Sequence, residues 1–168
     1  MKRTTLRNMK CGIIMTVVIL MISVVPVIAQ SVTAQSEAPE RSLEGVWVTQ
    51  VTRRNCETGE PIGATSQTQL TFANGGTLLE TVGPSILRSP GNGIWKREHG
   101  RKYSFAQRFM RFDAAGSFVG SGVVRVALTL DETGDHYTST ATNDVLDVNG
   151  NVIGSGCATS VSTRFSME

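Results

Sequence analysis

Few side chains in this chain are equipped for chemistry, and they are scattered. There are 2 histidines, His99 and His136. A histidine works as a base or a ligand only beside a group that orients it or shares its ion. His99 precedes Gly100 in a turn signal, and His136 follows the acidic run 131–135, so both fall at connections. No serine or cysteine stands in a nucleophile elbow or a triad context. Asp131, Glu132 and Asp135 are close enough in sequence to suggest a cation site, but an ordinary acidic turn is the more common outcome of such a cluster. Asp144 and Asp147 differ in parity, so a regular strand would point them to opposite faces. The sequence therefore calls for no catalytic residue, no metal and no cofactor. Barrel isomerases work with shape and a few polar groups, so an enzyme is not excluded.

The elements that would position such groups begin with a removable segment. Residues 1–29 have the form of a secretory signal peptide. Lys2, Arg3, Arg7 and Lys10 precede an apolar run, Cys11 to Val25, broken by Pro26. Ala29 and Ala34 are the two candidate cleavage positions; retention as an anchor is the other outcome, since Cys11 to Ala29 is just long enough to span a bilayer. The expected location is secreted or periplasmic. All 14 acidic residues lie after residue 29 but only 12 of the 16 basic ones, so the processed chain carries a net charge of −2. That balance opposes nucleic acid as a partner. A membrane is expected to matter only through the signal segment before cleavage. Export leaves Cys56 and Cys157, and two cysteines in an oxidising compartment predict one disulfide.

Residues 30–42 are polar and read as a flexible leader. From Leu43 to the C-terminus at 168, the pattern is strand after strand, rich in Thr, Val, Ser and aromatics and bounded by Gly, Asn and Asp. Eight strands are predicted: 45–53, 66–73, 77–82, 94–98, 102–112, 118–130, 136–146 and 152–165. Asn74-Gly75-Gly76 marks a tight hairpin. In the sixth, Phe118, Gly120, Gly122, Val124, Val126, Leu128 and Leu130 share one face. In the fifth, Phe109 and Phe112 have opposite parity, which signals a bulge. The fold class is all-β: consecutive strands with short connections predict an antiparallel eight-stranded up-and-down barrel, which removes exposed sheet edges.

Two pairs bear on closure. Opposed residues in an antiparallel ladder keep a constant index sum. Trp47 with Arg164 sums to 211, and Cys56 with Cys157 to 213. Both pairs join the first strand region to the last, as a closed tube requires. The long connections, 54–65 and 83–93, fall at one end. The other end is tightly turned.

Gly45-Val46-Trp47 at the start of the first strand resembles the G-x-W signature of the lipocalins. In that family an arginine from the last strand packs across the tryptophan, and Arg164 holds the matching position. The resemblance implies structural roles for Gly45, Trp47 and Arg164 and a lipocalin-like barrel over 45–165. The family's second motif, a T-D-Y-type triplet, is absent, as is a C-terminal helix. The wider calycin group, with its avidin-like and fatty-acid-binding barrels, and the allene oxide cyclase type are the alternatives.

An eight-stranded barrel has room for packed side chains or one small ligand. Trp95, Phe105, Phe109, Val124, Val126 and Tyr137 are the expected ligand-pocket residues. Gln69, Glu80, Gln107, Asn143 and Arg111 are candidates for a polar lining. The expected function is non-catalytic binding of a small, largely apolar molecule in the interior. A cyclase or isomerase, and a loop-based interaction or inhibitor module with a filled core, are the alternatives. From Arg88 to Arg111 there are seven basic residues and one acid, Glu98; a solvated barrel exterior is the expected reading, ahead of a face for an acidic ligand or membrane headgroups.

Overall fold

A computed structural model describes residues 41–83 and 87–167. The segment read as a signal peptide, most of the expected leader and residues 84–86 of the 83–93 connection lie outside the described residues. The described chain forms strands β1 (Gly45–Arg54), β2 (Ser66–Ala73), β3 (Thr77–Val82), β4 (Gly91–His99), β5 (Lys102–Phe112), β6 (Phe118–Leu130), β7 (His136–Leu146) and β8 (Val152–Arg164). Each strand pairs antiparallel with the next, and β8 pairs with β1, so the sheet is a closed eight-stranded barrel.

The closing seam carries the predicted register. Trp47 opposes Arg164 and Arg54 opposes Cys157, with every pair between them in step. Cys56 and Cys157 form a disulfide two residues beyond the last β1 position in that ladder. A bond here ties the first long connection to the outer side of β8, because Cys157 opposes the outward-facing Arg54.

Two predicted details change. β4 begins at Gly91, not Ile94, and the chain ahead of it runs beside the end of β5: Ser89 N–H donates to Met110 O at 3.0 Å, and Phe112 N–H to Leu87 O at 2.9 Å. Gly-Asn-Gly reads as loop because glycine weakens a strand. Here it is strand because the neighbours come too close for side chains: a Cβ on Gly93 would lie 2.2 Å from Ala106 O. Second, Phe118 is 46% exposed rather than inward. The β5–β6 register slips between Arg111 and Phe112, between the two phenylalanines whose opposite parity points to a bulge.

Alternation along the strands sends one face inward. The closed half is packed by Leu43, Trp47, Leu70, Phe72, Leu78, Tyr103, Leu128, Leu130 and Tyr137, with Trp95 against them. Phe72 is the hub: its ring centre lies 5.9 Å from Trp95, 5.5 Å from Phe105 and 6.4 Å from Tyr137, all edge-on. Edge-to-face pairs at such distances are the favoured aromatic geometry.

The closed end is sealed by Arg164. Its guanidinium lies 4.3 Å from the Trp47 ring centre. It donates to the backbone carbonyls of Ser42, Glu44 and Gly134 and pairs with Asp135 at 3.3 Å. Burial pulls the guanidinium's affinity for its proton down, and the Asp135 carboxylate works against that. Gly45 takes φ +126°, and a Cβ there would lie 2.9 Å from Arg164 Nη1, so only glycine leaves that approach open. Arg41 and Ser42, read as the end of a leader, already belong to this end, since Arg41 pairs with Asp135.

Candidate functional site

The half of the barrel towards the long connections is not filled. A cavity of about 210 Å³ lies between the strands there. Its floor is Phe105, whose other side meets Phe72 of the packed half. Val51, Leu70, Phe109, Val124, Val126 and Ala141 supply apolar wall. Phe109 can lie flat against β6 because residue 122 has no side chain; a Cβ on Gly122 would sit 2.1 Å from the ring.

The remaining wall is polar. Thr49, Thr68, Glu80, Gln107, Ser139, Asn143 and Ser160 face the same space, and Arg53 and Arg88 stand at its mouth. Glu80 comes from β3, two residues past Leu78, so strand alternation points it inward. A buried carboxylate is costly unless paired. The Thr68 hydroxyl donates to Thr81 O at 2.9 Å and lies 3.3 Å from Glu80 Oε1, and the Arg88 guanidinium forms a direct ion pair with Oε2. The Arg88 guanidinium also lies 3.6 Å from the centre of the Phe109 ring. Arg88 thus bridges the mouth from the polar wall to the aromatic wall. Gln107, 5% exposed, presents an Oε1 that no donor reaches among the described residues.

Of the six expected pocket residues, Phe105, Phe109, Val124 and Val126 line this cavity. Trp95 and Tyr137 do not. Tyr137 opposes Leu130 beside the closed end, 4.8 Å from Trp47 between ring centres. Burial there pushes its hydroxyl pKa up, against the opposing pull of hydrogen bonds from Ser162 and Thr49. Trp95 packs on Phe72 and donates its indole N–H to Ala73 O at 2.9 Å. Both face inward, but at the filled level of the tube. Glu80, Gln107 and Asn143 are in the lining as expected, whereas Gln69 is exposed on the outer face and Arg111 lies outside the lining. Sequence reasoning missed Thr68 and Arg88. Thr68 shares the parity of Leu70 and Phe72, a signal that was there to use. Arg88 sits in a connection, where no periodicity reports direction.

The other candidates resolve into structural roles. Asp131 Oδ1 accepts the backbone N–H groups of Gly134, Asp135 and His136, Asp135 pairs with Arg41 and Arg164, and Glu132 pairs with Arg101 at 3.5 Å. Those carboxylates hold a turn. Asp144 pairs outward with Arg125 at 2.7 Å. His136 Nδ1 shares a hydrogen bond with Thr163 Oγ1, and His99 is exposed at the end of β4; neither lines the cavity. A larger depression, about 760 Å³, is bordered by outward residues such as Ile94, Lys96, Ala127, Thr140 and Thr142. It opens broadly to solvent, and no unpartnered buried polar group points into it.

No protein-family model matches the chain, and comparison with curated proteins finds no match. The geometry of the barrel and its cavity is therefore the ground on which function must be argued.

Proposed function

We propose that this chain is an exported, non-catalytic carrier, lipocalin-like in the broad calycin sense, that holds one small and largely apolar molecule inside its barrel. The observation that carries this reading is the cavity of about 210 Å³ above the Phe105 floor, open at the end where Arg53 and Arg88 stand. Drug-sized ligands use pockets of about 300–1,000 Å³, so the guest is smaller. A cavity of about 150 Å³ holds a benzene ring; one ring with a short substituent is the matching size. Burying the apolar body contributes roughly 25 cal/mol per Å² before the costs of association. Export is supported by the form of residues 1–29, and the Cys56–Cys157 bond is consistent with an oxidising compartment.

Glu80 favours a second reading, a barrel isomerase or cyclase, because a buried carboxylate against an apolar wall is what a general base needs. The carboxylate is already neutralised by the Arg88 guanidinium, which supports the carrier role.

Native mass spectrometry of protein purified from its own host tests the reading. A co-purifying molecule on the order of 100 Da is expected. A clean apo mass, together with no thermal stabilisation by ring-sized probes, overturns it. Incubating the recovered molecule with fresh protein separates the two roles: a carrier returns it unchanged, and an isomerase converts it.

A further inference from the structure

The polar side of the cavity specifies more than size. Glu80 of β3 opposes Gly91 of β4, and Gly93, two residues on, opposes Gln107 of β5. A side chain at residue 91 would fill the space between the two polar groups. Its absence lets Glu80 Oε2 and Gln107 Oε1 turn into that space: they lie 2.9 and 3.0 Å from where a Cβ would stand. Two acceptor oxygens therefore converge on one point, on residues only 6% and 5% exposed. Glu80 Oε2 has Arg88, while Gln107 Oε1 has no donor among the described residues. A buried acceptor without a donor costs free energy until something supplies one. The opposite wall is aromatic and aliphatic, from Phe105, Phe109, Val124 and Val126.

We infer that the guest is a single-ring amphiphile whose hydrogen-bond donor, an O–H or N–H, points at Gln107 Oε1 beside Glu80, with its ring on the Phe105 and Phe109 side. This rests on the carrier reading. It narrows the ligand class to small phenol-like or aryl-amine-like molecules and disfavours pure hydrocarbons and carboxylates. A carboxylate would bring a third acceptor to a place that already has two.

Toluene, phenol, anisole and benzoate separate these chemistries when titrated against the purified protein by calorimetry. Phenol and toluene have the same heavy-atom count, and water solvates phenol better, so a cavity that merely excludes water takes toluene first. The expected result is phenol ahead of toluene by about tenfold, the value of one hydrogen bond to a buried orphan, with anisole and benzoate weaker than phenol. Gln107→Met keeps the volume and removes the acceptor. In that variant the phenol preference should vanish while toluene still binds, which also shows that the variant is folded. Toluene equal to or ahead of phenol in the native protein overturns the inference and leaves the carrier reading standing. Anisole or benzoate in the lead also overturns it, because that outcome means the Gln107 amide offers its N–H to the cavity instead. Binding of none of the four overturns both.

Discussion

Arg164 lies across Trp47, with 4.3 Å from the guanidinium to the ring centre, and the same group serves backbone carbonyls of Ser42, Glu44 and Gly134. These carbonyls come from two chain segments that cross the closed end, so one side chain substitutes for the sheet partners that the end of a barrel lacks. Arg164→Ala should cost about 2–4 kcal/mol, combining lost charge-assisted hydrogen bonds with the cation–π contact. Arg164→Lys should recover only part, because an ammonium cannot reproduce the planar fork. Urea denaturation measures both, and a lysine variant as stable as the native protein would contradict this account.

The Cys56–Cys157 bond spans 101 residues of sequence. In the chain-entropy model a loop of that size contributes about 4–5 kcal/mol through the unfolded state. Reduction, or Cys56→Ser with Cys157→Ser, should lower the urea midpoint accordingly while leaving the far-ultraviolet spectrum of the folded barrel unchanged. An unshifted midpoint would contradict the entropic account of this bond.

The Glu80–Arg88 pair predicts non-additivity. Arg88→Met leaves a carboxylate buried without its cation and should cost about 3 kcal/mol. Adding Glu80→Gln to that variant should restore most of the loss, because the uncompensated charge is gone. A double variant no more stable than Arg88→Met would mean that Arg88 acts through its packing on Phe109 instead.

Acid should act through the turns at the open end. Asp147 is held below its usual 3.8, first by the Asn151 side-chain amide and then by the backbone N–H groups of Asn151, Asn149 and Gly150. The folded value is depressed, so the stabilisation is present above pH 3.8 and disappears as pH falls through the lower folded value. Between pH 5 and 2 the native protein should therefore lose more stability than Asp147→Asn, whose turn has no charge to lose. Parallel slopes in the two urea-midpoint profiles would contradict this.

Most of the architecture was legible in the sequence because strand formation is a local matter. Val, Thr and aromatic runs broken by Gly, Asn and Asp place the strands, and seven of the eight start and stop within one residue of their predicted bounds. Even closure could be read, since the index sum of Trp47 and Arg164 needs only a regular antiparallel ladder. The sequence by itself determined the eight-stranded meander, its seam and its sealed end.

Only the tertiary structure decided how full the tube is. Trp95, Tyr137, Phe105 and Phe109 all face inward, and alternation cannot say at which height each ring meets its neighbours from other strands. Phe72 gathers Trp95, Phe105 and Tyr137 at one level, and above it the two glycines at 91 and 122 and the inward turn of Arg88 leave a space bounded by Glu80 and Gln107. A cavity is a small difference between the volume of a closed sheet and the summed volumes of side chains from many strands. No single stretch of sequence contains that difference, because it exists only once the strands are wrapped around a common axis.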